Sequence, residues 1–134
     1  MQKTTAIIET GSDGRYSIYV SDDSYPYGVL GTGGTVKEAI DDFYVGYEDM
    51  REAIESLGEE FIETEFVFKY DVPSFLQAFA YAFTLAGLER ITGVNQAQLG
   101  HYISGYRKPS EKTVRKIEAG IHEFCERLGA VQFV

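Results

Sequence analysis

The side chains able to do chemistry fall into three groups along the 134 residues. The first is acidic. Glu38, Asp41, Asp42 and Asp49 lie close together, with Glu9 and Glu65 farther off. Carboxylates can hold a divalent-metal pair for phosphodiester cleavage, but only when strands and a helix bring them to one point. The four central acids instead share one segment and lie off its apolar stripe, where charge on an amphipathic helix normally meets water. A solvated acidic face is therefore expected, with no catalytic residue, metal or cofactor. The second group is His101, His122 and Cys125, which do not supply four zinc ligands at a workable spacing. Cys125 is a lone cysteine between Phe124 and Leu128 in a helical pattern, and is expected as a buried thiol. No Gly-x-Ser-x-Gly or Walker loop occurs, and Gly31-Thr32-Gly33-Gly34 reads as a turn.

The third group is polar and basic and runs from Leu88 to Ser110. Gly93 can take the left-handed conformation that ends one helix and opens a tight turn. Val94 fills the angle between two helices, and Asn95 is a good N-cap for the next, whose first turn carries Gln96, Ala97 and Gln98. That helix, from about Asn95 to Ser104, stops at Gly105, and Arg107-Lys108 follows on a loop suited to gripping phosphate. A short helix, a glycine turn and a polar-fronted helix fit the major groove of DNA, whose base edges the first residues of the second helix reach. A purely structural helical bundle is the plain alternative.

This run resembles the helix-turn-helix of phage-repressor (Cro-like, XRE) regulators. Gly93-Val94, Asn95, Leu99, Ser104-Gly105, Arg107-Lys108-Pro109-Ser110, Thr113-Val114 and Lys116-Ile117 fall at matching spacings without a gap, and the match covers about residues 74–127. The resemblance implies double-stranded operator DNA as partner. It places Gln96, Ala97, Gly100 and His101 at base-reading positions, and Asn95, Ser104, Tyr106, Arg107 and Lys108 at backbone-contact positions. Gln96 suits an adenine edge and Ala97 a thymine methyl, while Gly100 permits close approach. One departure is that the recognition helix has neither Arg nor Lys, which makes a homodimer or higher oligomer the expected DNA-binding form.

The elements that must position these residues are legible from periodicity. Thr4–Glu9 and Arg15–Val20 read as a hairpin around the turn cluster Gly11–Gly14, with Tyr16, Ile18 and Val20 on one face. A short third strand is expected at Tyr27–Leu30. Thr35-Val36-Lys37-Glu38 is a capping box. After it, Val36, Ile40, Phe43, Tyr47, Met50, Ile54 and Leu57 form one apolar stripe on a helix of about six turns, ended by Gly58. The stripe is rich in aromatics and lies between strands, so packing across a sheet is favoured over a coiled coil. Glu65–Tyr70 is a further strand.

Past Asp71-Val72-Pro73-Ser74 the pattern becomes helical. Phe75, Leu76, Phe79, Ala80 and Phe83 mark one helix, Leu88 and Ile91 a second, and Leu99 and Ile103 a third. Val114, Ile117, Ile121, Phe124 and Leu128 mark a fourth, and Ala130–Val134 reads as a short strand. The fold class is therefore α+β: a ββ(β)αβ domain over 1–70, then an all-α, lambda-repressor-like helix-turn-helix domain over 71–134. Tyr25 and Tyr27, beside Asp22 and Asp23 in a loop, are candidate partner-binding aromatics.

Charge divides at the same place. Residues 1–70 hold five Lys/Arg against fifteen Asp/Glu, a net of −10, while residues 71–134 hold seven against six, a net of +1. The whole-chain −9 therefore does not argue against nucleic acid, because phosphate responds to local charge. No apolar run approaches the roughly 18 residues that would span a bilayer, and no secretory signal follows Met1, so a soluble, cytoplasmic protein is expected. The first module, with its Thr35–Ala39 lead-in, long acidic helix and closing strand, resembles the HicB antitoxin family. That resemblance implies a partial RNase H-like domain that neutralises a small basic ribonuclease toxin (HicA-like), and a C-terminal domain that represses the operon. A stand-alone helix-turn-helix regulator with an acidic ligand- or protein-binding domain is the alternative, and a nuclease ranks third.

Overall fold

The computed structural model describes residues 1–134 as a mixed α+β chain in two compact units, Met1–Asp71 and Val72–Val134. Strands β1 (Gln2–Thr10), β2 (Tyr16–Val20), β3 (Leu30–Gly33) and β4 (Thr64–Tyr70) form the sheet of the first unit, in the order β3-β2-β1-β4. β1 and β2 are an antiparallel hairpin from Ala6↔Val20 to Thr10↔Tyr16. Its turn places Gly14 at φ +77° and seats the Arg15 amide on the Asp13 carboxylate at 3.0 Å. β4 runs parallel to β1, which requires a crossover. Helix α1 (Val36–Ser56) supplies it.

The strand side chains alternate as a half-covered sheet demands. Thr4, Ala6, Ile8, Ile18 and Phe66 point into the core, where they meet Ala39, Phe43 and Tyr47 of α1. Phe43 lies edge-on to Phe66 at 4.8 Å between ring centroids, and Tyr47 edge-on to Phe66 at 5.3 Å. The apolar stripe of α1 packs inward as its spacing predicts, with one exception. Leu57 is 73% exposed, because Gly58 turns the chain away at φ +77° just past the last helical residue.

The third strand lies at Leu30–Gly33, not at Tyr27–Leu30, so the glycine cluster forms a strand where a turn was expected. The reason is the closeness of α1. A Cβ on Gly31 would sit 2.4 Å from the Ala39 carbonyl oxygen and 2.5 Å from the Phe43 nitrogen, and one on Gly33 would sit 2.7 Å from the Ala39 nitrogen. Only glycine lets a strand run this near a helix backbone.

Tyr25 and Tyr27 also depart from expectation. Tyr25 is 8% exposed, and its hydroxyl donates to Thr64 Oγ1 at 2.9 Å. Tyr27 stacks on Phe61 at 4.8 Å, and its hydroxyl accepts from the Ile62 amide at 2.9 Å. Tyr25 is thus buried and Tyr27 half-buried against the core, whereas freely exposed loop aromatics were expected.

The second unit consists of α2 (Val72–Ala78), α3 (Leu85–Thr92), α4 (Gln96–Ser104) and α5 (Glu111–Gly129) around Leu76, Leu88, Val94, Leu99, Tyr102 and Ile117. α2 is shorter than the spacing through Phe83 predicts. The chain turns over residues 79–82 and then becomes extended at Thr84, whose hydroxyl caps α3 by accepting from the Gly87 amide at 2.9 Å. α5 buries only a narrow stripe. Cys125 lies off that stripe and is exposed, which corrects the expected buried thiol. Residues 131–134 form no strand, and Phe133 is 92% exposed. The second unit contains no strand edge for them to pair with.

Candidate nucleic-acid interface

The α3–α4 turn is held by short-range bonds that local chemistry dictates. Gly93 takes φ +75° and its amide donates to the Glu89 carbonyl at 2.8 Å, closing α3 with a left-handed cap. The buried Thr92 hydroxyl donates back to the Leu88 carbonyl at 2.7 Å and accepts from the Val94 amide at 3.1 Å. Val94 is thereby fixed in the core between the helices. Lys116 of α5 reaches across and donates to the Gly93 carbonyl at 3.2 Å.

The start of α4 is equally defined. Asn95 Oδ1 accepts from the Ala97 amide at 2.8 Å, as an N-cap should. Glu89, projecting from α3, accepts from the Gln96 amide at 2.8 Å. A carboxylate at this end also opposes the positive pole of the helix. Sequence reasoning missed the roles of Glu89 and Thr92. Both bond across the α3–α4 turn to residues placed by its geometry, and only the caps were visible as spacing.

Leu99 and Tyr102 point into the core. Gln96, Ala97, Gly100, His101 and Ser104 then fall on the opposite side of the helix, at offsets of one, four, five and eight from Gln96. Gln96, Ala97 and Ser104 are exposed, and Gly100 and His101 are half-buried. Two of the expected backbone-contact side chains have local tasks. Asn95 caps α4, and the Ser104 hydroxyl donates to the His101 carbonyl at 3.1 Å and accepts from the Tyr106 amide at 3.4 Å. Gly105, at φ +79°, ends the helix.

Tyr106, Arg107 and Lys108 are exposed on the loop that follows. The Tyr106 ring meets His101 edge-on at 5.0 Å, and the Arg107 guanidinium lies 5.7 Å from the Tyr106 centroid. Neither Arg107 nor Lys108 is in a salt bridge. Lys112 and Arg115 continue the exposed basic surface onto the first turns of α5, where Arg115 is only loosely paired with Glu111 at 4.0 Å. The structure therefore gathers every predicted site residue of the C-terminal half into one helix, its N-cap and the loop beyond it.

Several acids of the first unit make bonds on or beside α1. Glu38 Oε2 accepts from the Gly34 amide at 3.0 Å, one residue before the cap it was expected to reach, while Thr35 Oγ1 accepts from the Glu38 amide at 3.1 Å. Asp42 accepts from the Thr32 amide at 2.8 Å, and Asp41 pairs with Lys37 at 2.8 Å. Arg51 bonds Glu48 and Glu63 and lies 4.7 Å from the centre of the Phe61 ring. The guanidinium bond holds the Glu63 carboxyl below its ordinary range. No three His, Cys, Asp or Glu side chains converge as a metal site, and no helix is long and apolar enough to cross a membrane. No family model, curated protein or solved structure matches this chain.

Proposed function

We propose that the chain is a non-enzymatic DNA-binding repressor of the antitoxin kind. In this reading α3 and α4 form a Cro-like helix-turn-helix, and the acidic first unit captures a small basic ribonuclease toxin. The observation that carries the DNA-binding reading is the outward stripe Gln96–Ala97–Gly100–His101 on a short, doubly capped helix, followed at once by unpaired Arg107 and Lys108. That arrangement presents small and polar groups to base edges and cations to the flanking phosphates, the division of labour that major-groove readers use. The sheet order β3-β2-β1-β4, with one helix on one face, supports a partial RNase H-like reading of the first unit. Its net charge of −10 steers a cationic partner toward it and repels nucleic acid.

The test is a titration of the full chain with duplex DNA from upstream of its own reading frame, at several salt concentrations. Specific binding whose logarithm falls linearly with the logarithm of salt is expected. Arg107→Ala should weaken all sequences alike and flatten the slope. Gln96→Ala should relax preference at one base pair, by about 1–3 kcal/mol. Binding indifferent to both changes would remove α4 from the interface. Co-purification with the product of a neighbouring reading frame for a basic protein of about 60 residues tests the antitoxin half, and the −10 charge implies faster association at low salt.

A further inference from the structure

We infer that the free edge of β4 is a self-association surface, on which β4 of a second copy of this chain pairs antiparallel about a two-fold axis at Val67. The inference goes beyond the DNA-binding reading and does not depend on it. A sheet in the order β3-β2-β1-β4 has two edges, and an edge left open is a template for another chain. The β3 edge is closed by its own unit. It is short, α1 lies against it, and its Thr32 amide donates to Asp42 at 2.8 Å. The β4 edge runs the length of Thr64–Tyr70 with no proline and no bulge.

Which backbone groups line that edge follows from the bonds at its start. In a parallel pair, alternate residues of a strand turn both amide and carbonyl to the neighbour. The Gln2 amide donates to the Glu63 carbonyl at 2.9 Å. Glu65, Val67 and Lys69 therefore bond to β1, and Thr64, Phe66 and Phe68 turn their backbone groups outward. The Thr64 amide accordingly donates to the Tyr47 hydroxyl at 2.9 Å. The amides and carbonyls of Phe66 and Phe68 make no bond outside the sheet.

The side chains along this edge are complementary to themselves. Phe66 points into the core, so Glu65, Val67 and Lys69 lie on the opposite face of the sheet. All three are exposed, and neither Glu65 nor Lys69 is in a salt bridge. An antiparallel mate centred on Val67 sets Glu65 opposite Lys69 of the second copy, and symmetry repeats the pair. The same register sets Phe66 opposite Phe68 of the second copy, so the open amides and carbonyls meet each other. A slip of one residue turns bonding groups away from each other, and a slip of two breaks the Glu65–Lys69 pairing. Over β4 the aromatic layer is also incomplete in a single copy. Phe68 is half-buried, and Tyr44, whose ring lies 6.0 Å from it, is 41% exposed. Pairing would bring Phe66 of the second copy to this open side.

The test is oxidative cross-linking of the full chain in a Cys125→Ser background, with single cysteines placed in β4. Val67 would face its own mate in a non-hydrogen-bonded pair, where Cα atoms lie about 4.5 Å apart, within reach of a disulfide. Val67→Cys should therefore form a covalent dimer roughly tenfold faster than Glu65→Cys or Lys69→Cys alone. Those two chains, mixed, should cross-link to each other. Lys69→Glu or Glu65→Lys, added to Val67→Cys, sets like charges opposite each other and should slow the reaction roughly tenfold. Mixing these two chains sets opposite charges at both sites and should restore the rate. Lys69 holds no ion pair within the chain, so Lys69→Glu disturbs the contact without removing a salt bridge from the fold. Equal cross-linking at all three positions overturns the inference, as does a Val67→Cys rate indifferent to the charge changes or not restored by mixing.

Discussion

At the scale of single residues, the structure distinguishes glycines that are required from glycines that are merely present. Gly31 lies against the backbone of α1, and a methyl group there would overlap the Ala39 carbonyl and the Phe43 nitrogen, neither of which can swing aside. Gly28 has nothing within 4 Å of an added Cβ. Gly31→Ala should therefore destabilise the first unit by about 1–3 kcal/mol or more through overpacking, and Gly28→Ala should change stability by less than about 0.5 kcal/mol. Urea denaturation of both variants checks the contrast. Glu63 gives a pH test at the same scale. Its bond to Arg51 depresses the carboxyl below 4.5, so its contribution is present above that value and is lost as pH falls through the lower, folded value. Glu63→Gln should accordingly melt below wild type at neutral pH, and the gap should close in acid. A gap constant with pH would show that the pair contributes nothing through charge.

At the scale of elements, α4 and α5 carry glycines with opposite consequences. Gly120 of α5 lies on the end of α3, and a Cβ there would be 2.6 Å from the Ile91 carbonyl oxygen and 2.8 Å from Thr92 Cα. Alanine is the better helix former by about 1 kcal/mol, yet Gly120→Ala should lower stability, because the two helices would have to separate. Gly100 of α4 is different. Its added Cβ would meet only Leu85 Cδ1, at an ordinary 3.8 Å. Gly100→Ala should therefore raise stability by roughly 0.5–1 kcal/mol while weakening DNA binding in the proposed mode, where the methyl group would lie between helix and duplex. Calorimetric melting and a DNA titration on the same sample separate the two effects. A variant both more stable and undiminished in binding would place Gly100 outside the contact.

At the scale of the whole molecule, charge and oligomeric state govern the proposed activity. In the proposed reading, a single α4 without Arg or Lys would supply limited affinity, and two such helices on half-sites about 34 Å apart would add their contacts. The proposed DNA-binding form is thus a dimer through the C-terminal unit. Leu128 in the last turn of α5 and Val131 and Phe133 just beyond it are exposed apolar groups, and the proposed dimer would bury them. With the β4 contact broken by Lys69→Glu, removal of residues 130–134 should shift the mass in solution from dimer to monomer and reduce DNA affinity. A truncated protein that stays dimeric removes the tail from the interface.

Signals that act within a turn or two were legible in the sequence. Thr35 and Asn95 cap helices because the hydroxyl or carboxamide of each finds an amide two or three residues ahead. Gly93 and Gly105 end α3 and α4 in the left-handed conformation, and the stripe from Val36 to Ile54 follows the helical period. The outward placement of Gln96, Ala97, Gly100 and His101 follows from the same period once Leu99 and Tyr102 are known to be buried. Features that depend on a neighbour distant in sequence were not legible. Gly31–Gly34 has the composition of a turn, and becomes partly strand because α1 lies on it. Tyr25 and Tyr27 have the look of surface aromatics beside acids, and are drawn inward by Thr64, Ile62 and Phe61, which lie more than thirty positions away. Cys125 has the spacing of a core residue, and is exposed because α5 has neighbours along only a narrow stripe. Caps and periods are decided by a few consecutive backbone groups, whereas burial is decided by whichever surface arrives from elsewhere in the chain, and only the folded chain specifies that surface.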